Sequence, residues 1–424
     1  MLSTLSWIFL IPFIAIQLYI LVNAIFSRDK TKIWSPMVVF SLASIYYIVL
    51  PPFDGLTLYK ANLAEFQYVF YLAALVFCIS ILIGFNLPSP HAFKKWNNIF
   101  TERNIYWIGV SLFIVALFCY VPFRGFRYTI SAEDSTRLTA RTGVVSYLID
   151  LISLFCASCS LLLFSIKITS INSVKKKLTF GLILYLSLVV YIVGGFRLRI
   201  VWFLLTLLTT YHLGVVVKRP RYLVIICLAV ISYLGFSIMD SARNYGAGID
   251  LEKASELSMD EISDGAGENV DVSCFSISVL DYACNYDYRI GFEPLVTAAL
   301  MPIPRSLFPW KPDGGYLKDL QLGVMGNSDE GAAFLIFVEA FISFGWIGVI
   351  LYGLFVGWLS GLFWRNYKRN PSSIGAVVLL ALYNGFCYDW YARGYMAGIF
   401  NNFMYYIIVP FWLSQLLIML RKKT

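Results

Sequence analysis

Long apolar runs alternate with short polar connections along the whole chain. Eleven runs stand out, at roughly 5–26, 34–50, 66–86, 103–121, 143–166, 178–193, 198–217, 221–239, 333–363, 373–390 and 397–419. Each approaches the ~20 apolar residues that a helix needs to cross a bilayer core, where every backbone amide must be satisfied within the segment. The pattern predicts an all-α polytopic membrane protein with about eleven transmembrane helices. It divides the chain into helices one to eight over 1–239, an extramembrane loop over 240–332, and helices nine to eleven with a tail over 333–424. The first run lacks a basic start and a small-residue cleavage site, so it is expected to be a retained anchor. The chain shows no internal repeat of the kind that marks many carriers.

Charge orients these runs, because Lys and Arg in short connections stay on the cytoplasmic side. Alternate connections hold Arg28/Lys30/Lys32, Lys94/Lys95/Arg103, Lys167/Lys175/Lys176/Lys177, Lys218/Arg219/Arg221, Arg365/Lys368/Arg369 and the tail Arg421/Lys422/Lys423, beside only Asp29 and Glu102. The N-terminus is then outside and the C-terminus inside. The net charge of +8 is a split across the membrane, basic within and acidic without, and carries no argument for nucleic acid. Composition agrees, since 59% hydrophobic and 17% aromatic residues leave too few polar side chains to cover a soluble globule.

The extracytoplasmic connections are about 51–65, 122–142, the tight 194–197 turn, 240–332 and 389–396. The 240–332 loop is long enough to be functional or disordered. Its first part, through Asp264-Gly265-Ala266-Gly267-Glu268, is acidic and Gly-rich, and reads as a flap or as a short surface helix (Leu251 to Ile262) and hinge. Its second part, 273–323, is dense in aromatics and Pro and is expected to be ordered.

Cations sort by type between the two faces. Outside lie Arg124, Arg127, Arg137, Arg141, Arg197, Arg199, Arg243, Arg289, Arg305 and Arg393 with only Lys60, Lys253, Lys311 and Lys318, whereas lysine predominates inside. A guanidinium keeps its charge in a partly dry site and grips phosphate oxygens in pairs, so a dianionic ligand on the outer face is implied. The alternative is that these arginines neutralise acids on the same face, which applies with equal force to Arg124, Arg127, Arg243 and Arg289. Arg197 and Arg199 open a transmembrane run directly after Gly194-Gly195-Phe196, where two arginines one residue apart point in different directions and exposed amides add anion-binding capacity.

Arg305 belongs to Met301-Pro302-Ile303-Pro304-Arg305-Ser306-Leu307-Phe308-Pro309-Trp310-Lys311-Pro312. The prolines prevent helix and make a stiff extended strut, either to hold Arg305 and Lys311 toward a ligand beside Phe308 and Trp310 or to serve as a rigid lid. Glu339 is an ionisable carboxylate in an apolar run, costly unless it pairs with an arginine or works as a base. Asp150 raises the same question, and Asp389 and Arg393 flank one outer turn and can pair with each other. Cys156 and Cys159 have C-x-x-C spacing inside a membrane run, which reads as helix packing, whereas Cys274 and Cys284 are the two placed where a disulfide can form. His91 and His212 fall at or near the cytoplasmic side, so no His/Cys metal cluster or Ser-His-Asp set assembles outside, and no metal or cofactor is expected.

The Gly194-Gly195-Phe196-Arg197 helix entry, the Pro304-to-Pro312 strut, and Glu339 followed by Phe344-Gly345-Trp346-Ile347-Gly348 together resemble the Wzy family of O-antigen or oligosaccharide repeat-unit polymerases. The resemblance spans most of the chain. It implies a GT-C-like glycosyltransferase of the bacterial inner membrane, acting at the periplasmic face on undecaprenyl-diphosphate-linked oligosaccharide. A growing glycan leaves its lipid diphosphate and joins the next lipid-linked repeat unit, with inversion and without metal. On this likeness Arg197, Arg305 and Lys311 take the diphosphate, Arg199, Arg137 and Arg141 support them, and Glu339 is base or acceptor orienter. Among the loop aromatics Tyr282, Tyr286, Tyr288, Phe308 and Trp310, the last and Tyr288 are the sugar platforms of choice. A chain-length co-polymerase and a flippase are the implied partners. Rival readings are an O-antigen ligase, which is expected to need an outer-face histidine, a lipid-linked oligosaccharide flippase, and a scaffold subunit of envelope assembly.

Overall fold

The structure is a computed structural model and describes residues 3–52, 66–90, 93–124, 148, 150–168, 173–193, 197–215, 243–244, 248–249, 268–301, 303, 307–310, 315–326 and 333–423. Described residues are helical apart from turns and a two-residue antiparallel hairpin, β1 (Arg243–Asn244) with β2 (Gly248–Ile249). The helices are α1 (Thr4–Phe26), α2 (Pro36–Ser44), α3 (Gln67–Asn86), α4 (Lys94–Asn97), α5 (Ile105–Arg124), α6 (Leu154–Ile168), α7 (Ser173–Val193) and α8 (Arg197–Thr210). They continue with α9 (Glu268–Asn285), α10 (Glu293–Leu300), α11 (Gly315–Met325), α12 (Ile336–Arg369), α13 (Ile374–Ala392), α14 (Met396–Phe403) and α15 (Val409–Lys423).

The described parts of the expected apolar runs are helical, with 397–419 divided between α14 and α15; the start of 143–166, the end of 198–217 and all of 221–239 lie outside the described residues. Among the described residues, five helical segments are long and apolar enough to cross a membrane: Thr4–Phe26, Gln67–Asn86, Leu198–Val215, Ile336–Arg369 and Met396–Arg421. Pro36–Val49, Ile105–Val121 and Leu151–Lys167 are apolar but shorter. Residues 273–323, expected to be ordered, carry α9, α10 and α11. The expected helix over Leu251 to Ile262 lies outside the described residues.

The two faces of α1 are arranged for lipid. It buries Ser6, Leu10, Phe13 and Gln17 and exposes Leu5, Ile8, Ile11, Leu18 and Val22. The inward face thus admits the polar Ser6 and Gln17 beside Leu10 and Phe13 while large apolar side chains stay outside, a distribution that suits a hydrocarbon solvent better than water. The Gln17 amide nitrogen donates to Cys78 Sγ on α3 at 3.2 Å.

The chain forms two compact units. The first comprises Met1–Ala92, Glu268–Arg365 and Cys387–Asn401. In it α3 lies close against α12, where Gly353, Gly357 and Gly361 recur every fourth residue. A Cβ on Gly357 would collide with the Ile81 carbonyl, and one on Gly353 would stand 2.7 Å from Ser80 Cβ. Small residues at this spacing let two backbones approach, which is how membrane helices gain packing when burial alone offers no driving force. α12 is interrupted after two turns, with Phe344 at φ −139° and Gly345 at φ +61°, ψ −146°. Only glycine tolerates that second conformation.

The second unit comprises Phe93–Gly267, Asn366–Phe386 and Asn402–Thr424. Here α5 packs on α6, and α6 on α7 and α8. Asn97 and Asn366 exchange amide hydrogen bonds at 2.9 and 3.1 Å, so both buried amides have a partner.

Candidate functional site

Among the described residues, Glu339 and Asp389 in the first unit are buried acids, and Asp150 in the second is largely buried. In the first unit Glu339 stands in the opening turns of α12 among Phe337, Val338, Ala340 and Phe341, and is 0% exposed. A carboxylate so placed is costly unless its oxygens are taken up by donors. Three supply them: the Tyr316 hydroxyl donates to Oε1 at 2.5 Å, and the backbone N–H groups of Tyr395 and Met396 donate to Oε2 at 2.6 and 2.8 Å. The sequence admitted either an arginine partner or a base for Glu339. What it meets here is a phenol and two amides.

Each donor has a local reason to be there. Tyr316 occupies the first turn of α11, and Tyr316 and Leu320 are the buried positions of that helix, one turn apart. Tyr395 immediately precedes and Met396 opens α14, where the first amides have no partner within the helix and carry its positive dipole end, so an anion is the natural cap. To present them the chain turns sharply after α13. Gly394 donates to the Phe334 carbonyl at 2.6 Å, and Tyr395 takes φ +91°, an outlier for a bulky residue that surrounding contacts must enforce. Burial, and then the adjacent Glu339 carboxylate, push the Tyr316 hydroxyl far above the usual tyrosine range.

In the second unit Asp150 and Arg199 form an ion pair at 2.6 Å, both largely buried, just ahead of α6 and in the first turn of α8. Arg199, expected to support a ligand diphosphate, thus has a carboxylate of its own chain as partner. Close by, Cys156 on α6 meets the hydroxyls of Tyr191 and Tyr406 at 3.8 and 3.9 Å. Cys159 meets Ser187 at 3.9 Å, so the C-x-x-C pair is packed and free of a disulfide, as its spacing led us to expect.

Of the other predicted residues, Arg137, Arg141, Arg305 and Lys311 lie outside the described residues, as does the side chain of Arg197, whose backbone opens α8. Trp310 is 79% exposed and its ring lies 4.6 Å from that of Phe308. Tyr288 packs on Tyr282 at 5.6 Å, and Tyr282 packs on Tyr286 at 4.9 Å, giving a continuous aromatic ledge at the end of α9. Burial, then Asp319, Glu293 and Tyr282, push the Tyr288 hydroxyl up to about 12. Arg289 lies 3.6 Å from the exposed Asp287 carboxylate and 5.6 Å from the centre of the Phe341 ring.

The disulfide admitted for Cys274 and Cys284 does not form, and both are free thiols. They sit ten positions apart on the single helix α9, so ~15 Å of rise separates backbones that a disulfide needs within ~7 Å. Asp389 and Arg393, candidates for pairing across the outer turn, are joined by a backbone hydrogen bond from Arg393 N–H to the Asp389 carbonyl at 3.2 Å. Among the described residues no three His, Cys, Asp or Glu side chains converge as metal ligands would.

Sequence reasoning missed Tyr316, Tyr395 and Met396. Their link to Glu339 is tertiary, and only the 316/320 spacing on α11 hinted that Tyr316 faces inward. No family model matches the chain, and no similar curated protein or solved structure is found.

Proposed function

We propose that this protein is a polysaccharide polymerase of the bacterial inner membrane, with about eleven spans, a periplasmic N-terminus and a cytoplasmic C-terminus. It transfers a growing glycan from undecaprenyl diphosphate to the next lipid-linked repeat unit. The observation that carries this reading is Glu339, an acid set into an apolar helix and held by a tyrosine from the large loop. Ionisable groups in such helices are retained where they work. The excess of arginine over lysine on one side of the sequence, and the likeness of its motifs to repeat-unit polymerases, support it further.

In the proposed reaction the acceptor hydroxyl oxygen attacks the anomeric carbon as the bond from that carbon to the diphosphate oxygen breaks. The diphosphate leaves with the electron pair, and the hydroxyl proton passes to Glu339. Arg197, Arg305 and Lys311 meet the charge that develops on the leaving group, a part in which fixed guanidinium groups replace a divalent metal. Because three donors already hold the carboxylate, Glu339 reaches an acceptor only after Tyr316 withdraws with α11. Arg199, bound to Asp150, supports the diphosphate by fixing the start of α8 beside Arg197. Tyr288 and Trp310 offer surfaces to sugar rings.

A strain lacking the protein tests the reading. Surface glycan capped with a single repeat is expected. Uncapped core with polymer retained on carrier lipid identifies a ligase instead, and repeat units accumulating on the cytoplasmic side identify a flippase. A second reading, that Glu339 is a structural pin, is favoured by its complete set of hydrogen bonds. Glu339→Gln protein that inserts at normal levels and yields wild-type chain lengths would establish the pin and remove the base.

A further inference from the structure

Helix α10 wears its faces the wrong way round for a helix in water. Pro294, Thr297 and Ala298 are turned inward, while Leu295 and Val296 are exposed. Phe292, just ahead of the helix, is 68% exposed, and Ile303, Leu307 and Trp310 beyond it are exposed as well. Large apolar side chains exposed on both sides of one short helix, and on the helix itself, mark a surface that is covered by something.

Its attachment says by what. The Ile290 N–H donates to the Ile342 carbonyl at 3.0 Å, and Arg289 rests over Phe341, so the segment is anchored on α12 just ahead of the break. The Phe292 ring then packs edge-on against Phe344 at 4.8 Å. Past the break, on the same helix, Ile347, Ile350 and Leu351 are exposed on a segment long and apolar enough to span a membrane. The exposed face of α10 therefore continues the lipid-facing surface of α12, and the aromatic side chains on either side of the helix, Phe292 and Trp310, are of the kind that gathers at membrane–water boundaries.

We propose that α10, with Phe292, Leu307 and Trp310, is an interfacial foot that lies in the boundary between headgroups and acyl chains. The occupant of the apolar face is the bilayer itself. This rests on the membrane-spanning character of α12 and is independent of the glycosyl-transfer reading.

Full-length protein in vesicles of phosphatidylcholine and phosphatidylglycerol, carrying the photoreactive residue benzoylphenylalanine at Leu295 or at Leu307, provides the test, with Lys318 as the polar control position. Irradiation is expected to give adducts of lipid mass at both positions, several-fold above the control. Adduct yields equal to the control would overturn the proposal, as would a covalent dimer formed from both positions, which would make the face an interface between copies of the chain. Trp310→Phe adds an independent measurement. The fluorescence lost to brominated acyl chains should be smaller than in wild type, and an unchanged loss refutes the placement.

Discussion

The Tyr316 hydroxyl donates to Glu339 Oε1 at 2.5 Å, joining α11 to a carboxylate in the apolar helix α12. A hydrogen bond to a charged acceptor contributes about 1.5–3 kcal/mol, and Tyr316→Phe should lower stability by that order. Glu339→Ala, which leaves a phenol and two amides without an acceptor, should cost more, about 3–5 kcal/mol. Thermal unfolding of purified protein in detergent, with both variants beside wild type, checks the order. An alanine variant as stable as wild type would show that the three donors find other acceptors.

Alkaline pH should act through Tyr316. Its hydroxyl is held far above the ordinary range by burial and by Glu339, whereas in the unfolded chain it ionises near ~10. Folding thus favours the protonated phenol, so its contribution is complete below about pH 10 and declines as pH rises beyond that, by at most ~1.4 kcal/mol per pH unit. Other tyrosines titrate there too, so the quantity to measure is the difference between wild type and Tyr316→Phe from pH 8 to 11. That difference should stay constant to about pH 10 and then narrow; a constant gap throughout would contradict the assignment.

Removing one member of the Asp150–Arg199 pair leaves a mostly buried charge without its counter-ion. Asp150→Ala and Arg199→Ala should each cost about 3–5 kcal/mol, and the double variant markedly less than the two summed. A double-variant cycle of unfolding free energies gives the coupling directly. Simple additivity would mean that the 2.6 Å contact contributes nothing.

Two glycines separate backbone strain from crowding. Gly345 has open space where a Cβ would stand but a backbone conformation other residues resist, so Gly345→Ala should cost about 1–3 kcal/mol from conformation alone. Gly357 is helical and in contact with α3, so Gly357→Leu must push two helices apart and should lower stability further. Melting temperatures in which the leucine variant matched wild type would sink the account of the α3–α12 seam.

The helices were largely legible because apolar runs near bilayer length need no tertiary information to be recognised, and the ends of α1 and α3 fall within a residue or so of the runs. The glycine seam went unread, because the four-residue recurrence from Gly353 to Gly361 shows a close-packed face only once α3 is seen against it. The break in α12 was hidden, since a lone glycine such as Gly345 is commonly carried through a helix intact. Glu339, Asp150 and Arg199 were each marked by cost, as charges in apolar runs. Their partners were not: a burial cost signals that a partner exists, and only the fold brings Tyr316 to Glu339 and Asp150 to Arg199.

As an unbroken rod, the 34 residues of α12 would reach ~51 Å at ~1.5 Å per residue, far beyond a hydrocarbon layer of ~30 Å. The interruption at Phe344 and Gly345 trims the bilayer-matched portion to ~36 Å, with Lys368 and Arg369 at its far edge. The turns bearing Glu339 are thereby released from the task of matching membrane thickness. Evolution can thus retune the acid's surroundings, or refit the rod to a thicker or thinner bilayer, without one adjustment disturbing the other.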